Sequence, residues 1–179
     1  MDHCWMKVKT LSGYIAVVTL SFLLYAARPA HSFFYGALPA LMLIFPTIAG
    51  SRVRISFSVK DLLLGIAISF VVLVPYSLFF GSSLRSITFY SALFQLLSVA
   101  LPEEFFFRGF LQHSLGKSLK AVLFASLLFS LAHLPRAVFL GDWVSLLSFF
   151  PSLIIGWLYM KTNNIVPGII FHLFGFDQQ

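Results

Sequence analysis

Long apolar stretches, each bounded by basic or turn-forming residues, recur along this whole chain, and they decide what it can fold into. Residues 11–27 follow Lys7 and Lys9 and stop at Arg28-Pro29, while residues 62–80 follow Lys60-Asp61 and stop at Gly81-Ser82-Ser83. A helix needs about 20 apolar residues to cross the roughly 30 Å of hydrocarbon in a bilayer. Inside that hydrocarbon each backbone N–H and C=O must find its partner within the protein, and a helix supplies all of them. Composition agrees: 59% of the residues are hydrophobic, 22 are Phe, and only 10% are charged. A water-soluble domain carries about 25% charged residues, so lipid is the solvent this surface suits.

The expected fold is all-α, a polytopic transmembrane helical bundle of about seven spans. The other runs are 33–50, with Pro39 and Pro46 as kinks, then 88–111, 121–134, 143–160 and a short last segment, 165–176. Residues 51–61 alternate polar and apolar like an extended or interfacial loop. The first run reads as an uncleaved span, since Arg28-Pro29 stands where a small-residue cleavage site would be needed.

Basic residues orient the bundle. With the N-terminus in the cytoplasm, inner loops hold Lys7, Lys9, Arg52, Arg54, Lys60, Lys117, Lys120 and Lys161. Outer loops hold only Arg28, Arg85 and Arg136, which is the asymmetry of an integral multi-pass protein with a cytoplasmic N-terminus. The net charge of +6 is used up in this way, and no basic stripe or recognition motif marks a nucleic-acid partner. Cys4 is the only cysteine, which excludes an internal disulfide and a cysteine-based metal cluster.

Chemistry concentrates in the fourth run. The only two glutamates, Glu103 and Glu104, are adjacent there, with Arg108 one turn on. A charged side chain at the bilayer centre costs about 2.5–3.5 kcal/mol on insertion scales, so such groups mark function or a buried ion cluster. Glu104 and Arg108 are four residues apart, which places them on one helix face as a pair. Glu103 is then aimed about 100° away, free to meet other helices. His133 ends the fifth run and His172 lies in the last. Counted from the cytoplasmic ends, Glu103, His133 and His172 all fall about 12–18 Å deep, so they can share one chamber. A carboxylate and a histidine can deprotonate a water, and a second histidine can stabilise the oxyanion formed on an amide carbonyl. There is no His-Glu-x-x-His zinc motif and no Gly-x-Ser-x-Gly elbow.

Glu103-Glu104-Phe105-Phe106-Phe107-Arg108 resembles the Glu-Glu-x-x-x-Arg motif of the CAAX-protease and bacteriocin-processing (CPBP, or ABI) intramembrane protease family. Phe129 to His133 resembles its Phe-x-x-x-His motif, and His172 falls where its last histidine motif belongs. The resemblance implies an N-terminal three-span region, residues 1–87, and a catalytic core of about four spans, residues 88–179, holding the active site. It implies a glutamic-type endopeptidase in which Glu103 with His133 activates water. Glu104 supports the site through Arg108, Phe129 is a supporting residue, and His172 stabilises the oxyanion. No cofactor is expected. The alternative is a zinc-dependent version with Glu103, His133 and His172 as ligands, a donor set that suits zinc. The implied substrate is a membrane-embedded or lipid-anchored protein or peptide, and the setting a bacterial cytoplasmic membrane.

One position departs from the pattern. The family's last motif is His-x-x-x-Asn, but Phe176 stands where the Asn belongs, followed by Asp177. Loss of a single oxyanion donor can lower a rate by about 10²–10³. A catalytically inactive membrane protein of the bacteriocin-immunity type is therefore one rival reading. A proton-coupled transporter is another, since it too keeps Glu, Arg and His inside spans, but no inverted repeat is visible.

Overall fold

The computed structural model describes residues 2–28, 31–80 and 88–175. They form seven helices, and no strand occurs among the described residues. Helix α1 is Asp2–Ala27 and α2 is Ala37–Ile48, the latter preceded by a 3-10 turn at Ser32–Gly36. Helix α3 is Val59–Phe80 and α4 covers 89–115. Helix α5 is Leu119–Leu140, α6 is Trp143–Thr162 and α7 is Val166–Gly175. Among the described residues three helical stretches are long and apolar enough to cross a membrane: Val8–Ala27, Leu119–Leu140 and Trp143–Thr162. Phe34–Ile48 and Val166–Gly175 are shorter apolar helices.

Local sequence explains the boundaries. Thr88 and Ser91 cap the start of α4 reciprocally, with Ser91 N–H donating to Thr88 Oγ1 and Thr88 N–H to Ser91 Oγ. Gly116 ends α4 at φ +99°, a conformation open to glycine and little else. Ser118 caps α5 by accepting from Ala121 N–H at 3.2 Å.

Two prolines lie close to helix ends. Helix α2 holds Pro46 within its last turn and continues to Ile48. Helix α5 runs on past Pro135 to Leu140, where the apolar pattern alone ends it near residue 134. The helix breaks at His133, and Pro135 then sits in the first turn of the continuation, where its missing N–H removes no helical bond.

Helix α4 is the hub. Phe106, Phe107, Phe110 and Leu111 pack with Val17 of α1, Met42 of α2, and Ala125 and Phe129 of α5. Ala100 joins Tyr159 of α6 and Ile165 and Ile169 at the start of α7. Helix α3 lies on α7, and Gly65 permits this: a Cβ there would stand 3.0 Å from Pro167 Cα. Lipid tails are as apolar as these side chains, so close packing and buried polar links, rather than burial from water, hold such helices together.

One link ties the segment 51–58 to α7. Asn164 is fully buried; its Nδ2 donates to Ser56 O at 2.6 Å and Asp61 Oδ2 at 3.0 Å, and its Oδ1 accepts from Ser56 N–H at 3.0 Å.

Candidate active site

Helix α4 is not regular. Residues Gln95–Ala100 and Glu104–Gln112 wind as π-helix, with bonds from residue i to i+5, around a short α segment Leu101–Glu103. Pro102 lacks the N–H that would bond back to residue 98, and a missing rung of this kind loosens the ladder. A wider turn rotates each residue by less than an α-helix does. Glu104 opens the second π-helical stretch directly after Glu103, and both glutamates reach the same partner on α7.

That partner is His172. Its Nε2 lies 3.7 Å from Glu103 Oε2 and its Nδ1 3.8 Å from Glu104 Oε1. Glu104 is turned to Arg108 and Glu103 to His172, as expected, but Glu104 also reaches His172, so that one imidazole stands between both carboxylates. Glu104 is 1% exposed, whereas Glu103 and His172 keep 18% and 17% of their side chains accessible. Glu104 is accordingly the inner member of the pair, and Glu103 the outer.

Arg108 anchors the inner side. Its Nε is 3.6 Å from Glu104 Oε2, its Nη1 donates to Gln112 Oε1 at 3.3 Å, and its Nη2 donates to Ser152 Oγ at 2.7 Å. Gln112 Nε2 in turn donates to Gly156 O at 2.8 Å, so two bonds from α4 fasten it to α6. The Phe129 ring lies under the guanidinium, 5.6 Å from its carbon to the ring centroid. A buried cation is tolerable only with partners on all sides, and the fork of Arg finds them here.

Glycines make the room. A Cβ at Gly156 would meet Gln112 Oε1 at 3.1 Å and Arg108 Nη1 at 3.5 Å. A Cβ at Gly168 would stand 2.6 Å from Glu104 Oε2 and 2.7 Å from Ile155 Cγ2. Only glycine at 168 lets the carboxylate lie against the α7 backbone.

His133 sits at the break in α5. Its Nδ1 is 2.9 Å from Phe129 O. A carbonyl only accepts, so in the neutral ring Nδ1 carries the hydrogen and Nε2 is left as the acceptor. The Phe129 ring also packs at a tilt against His133, with centroids 4.8 Å apart, and edge-to-face against Phe107 at 4.9 Å. No hydrogen bond or ion pair joins His133 to either glutamate among the described residues. The structure thus brings Glu103, Glu104, Arg108 and His172 into one cluster, with His133 bonded to Phe129 O rather than to either glutamate.

Among the described residues no three His, Cys, Asp or Glu side chains are grouped so as to hold a metal ion. Phe176 and Asp177 lie outside the described residues. Within the cluster, Glu104 Oε1 and Oε2, Arg108 Nε and His172 Nδ1 are buried without a hydrogen bond.

Sequence reasoning does not single out Gln112, Ser152, Gly156 or Gly168. A signal exists for the last two: glycine inside an apolar helical run costs about 1 kcal/mol against alanine, and between membrane helices it marks close approach.

The fold is a helical membrane bundle with carboxylates, an arginine and a histidine gathered inside it. A family model described as Rce1-like, type II CAAX prenyl endopeptidase, matches residues 85–175, just over half of the chain. The chain belongs to that family, which sets its general class as an intramembrane endopeptidase for a membrane-associated protein substrate. No curated protein and no solved structure matches it.

Proposed function

We propose that this chain hydrolyses a peptide bond in a membrane-embedded or lipid-anchored protein or peptide, using water activated by glutamate and histidine without a metal. The observation that carries this reading is His172 set between the buried Glu104 and the half-buried Glu103, at 3.8 and 3.7 Å. Glu103, the more accessible carboxylate, takes a proton from water as the oxygen attacks the scissile carbonyl. His133, with Nε2 left as an acceptor, assists from α5 by accepting from that water. His172 donates to the oxyanion of the tetrahedral intermediate. The proton held by Glu103 then passes to the leaving nitrogen, which departs as an amine and leaves a new carboxylic acid. Glu104 touches none of the reacting atoms; paired with Arg108, it holds His172 in place. The substrate favoured is a peptide or sorting-signal segment, and the chain crosses a bacterial cytoplasmic membrane about seven times with its N-terminus inside.

The test is cleavage in proteoliposomes of a panel containing a prenylated C-terminal tail, a leader peptide and a membrane-anchored sorting signal. Wild type is compared with Glu103→Ala, His133→Ala and His172→Ala, each with and without a strong zinc chelator. The proposal predicts loss of cleavage in all three variants and no effect of the chelator. Variants that cut as well as wild type would sink it, and chelator-sensitive cleavage would move the chemistry to zinc.

A further inference from the structure

A second feature lies on the outer face of the α5–α6 pair, away from the glutamates. Leu119, Lys120, Val122, Leu123, Leu153 and Trp157 line an open groove of about 380 Å³. Its walls are hydrocarbon, and Leu119 and Leu123 are 69% and 56% exposed. The groove exists because Gly156 lets the helices approach closely: a Cβ there would be 3.0 Å from Val122 Cγ1.

One end of the groove is basic. Lys120 is part of the lining, and Lys161 places its Nζ 5.8 Å from the centroid of the Trp157 ring. Among the described residues neither lysine forms an ion pair, because the four ion pairs present involve Arg108, Arg136 and His172. Lys117, exposed in the adjoining α4–α5 connection, stands two residues before Leu119. An apolar trough capped by unpaired ammonium groups and an indole is complementary to an acyl chain ending in an anionic headgroup. Basic sites between membrane helices recognise anionic lipids in this way, at about 1 kcal/mol per lysine.

We infer that the α5–α6 groove is a binding site for an anionic phospholipid, whose acyl chain lies along Leu119, Leu123 and Leu153 and whose headgroup is held by Lys120 and Lys161. The site is separate from the proposed catalytic cluster, and the test does not require cleavage. Trp157 is its built-in reporter. With Trp5→Phe and Trp143→Phe in place, Trp157 fluorescence is followed in nanodiscs while brominated phosphatidylglycerol or brominated phosphatidylcholine is titrated in. Bromine quenches on contact, so half-quenching should need several-fold less phosphatidylglycerol, on the order of five-fold for each lysine engaged. Lys120→Gln/Lys161→Gln should abolish the preference, and Lys120→Arg/Lys161→Arg should retain it. Both lysines are exposed, so neither pair of changes threatens folding. Equal quenching by the two lipids, or a preference that survives the glutamine pair, overturns the inference.

Discussion

Gly168→Ala is the smallest change that separates a positioned carboxylate from one that is merely present. The new methyl would lie 2.6 Å from Glu104 Oε2, 3.1 Å from Glu104 Cδ and 2.7 Å from Ile155 Cγ2. Usual non-bonded separations are about 3.5–4.0 Å, so roughly 1 Å must be found somewhere. If Glu104 yields, it leaves Arg108 or His172. If α7 yields, it moves away from α6 and carries His172 with it. Either route displaces a group in the site by about 1 Å, a shift that can lower turnover by about 10²-fold. The overpacking itself should cost about 1–3 kcal/mol of stability, too little to prevent folding of an otherwise stable bundle. The assay is cleavage of a lipid-anchored reporter in proteoliposomes, with thermal unfolding in detergent run in parallel. Gly175→Ala is the control on the same helix, because nothing lies within 4 Å of its Cβ position. It should behave as wild type. A folded Gly168→Ala protein that cleaves within about three-fold of wild type would refute the reasoning, because the displacement would then have cost far less than a 1 Å shift implies.

Two further outcomes follow from the same geometry. Arg108→Lys keeps the charge but cannot reach Glu104, Gln112 and Ser152 together, so it should lose activity nearly as fully as Arg108→Ala; a lysine variant with near-normal kcat/KM would contradict this. Asn164→Ala removes the side-chain bonds to Ser56 and Asp61, leaving buried groups unpaired, and should cost on the order of 3 kcal/mol. It should also speed protease nicking within residues 51–58, and unchanged thermal unfolding would show that these bonds do not hold α7.

Much of the architecture is legible in the amino-acid sequence. The apolar runs locate the helices, because a chain so poor in charge has few other places to put its backbone. Glu103, Glu104, Arg108 and His172 stand out because ionisable groups are rare in such runs. What stays hidden depends on distances between helices. Ser152 is one serine among many apolar neighbours, and nothing in its spacing says that it faces Arg108. The π-helical winding of 104–112 is equally invisible, since hydrophobic periodicity presumes 3.6 residues per turn. The continuation of α5 past Pro135 escapes the sequence pattern because proline ordinarily ends a helix, and only the break at His133 reverses its meaning.

The central claim is that Glu103, not a metal or a nucleophilic side chain, activates the attacking water. Cleavage of a lipid-anchored reporter by purified protein in oxygen-18 water, with wild type beside Glu103→Gln, tests it directly. The account predicts that the new carboxyl group carries one labelled oxygen after a single wild-type turnover, and that Glu103→Gln yields no product although it still binds the reporter. Product formed by Glu103→Gln at the wild-type rate would contradict it.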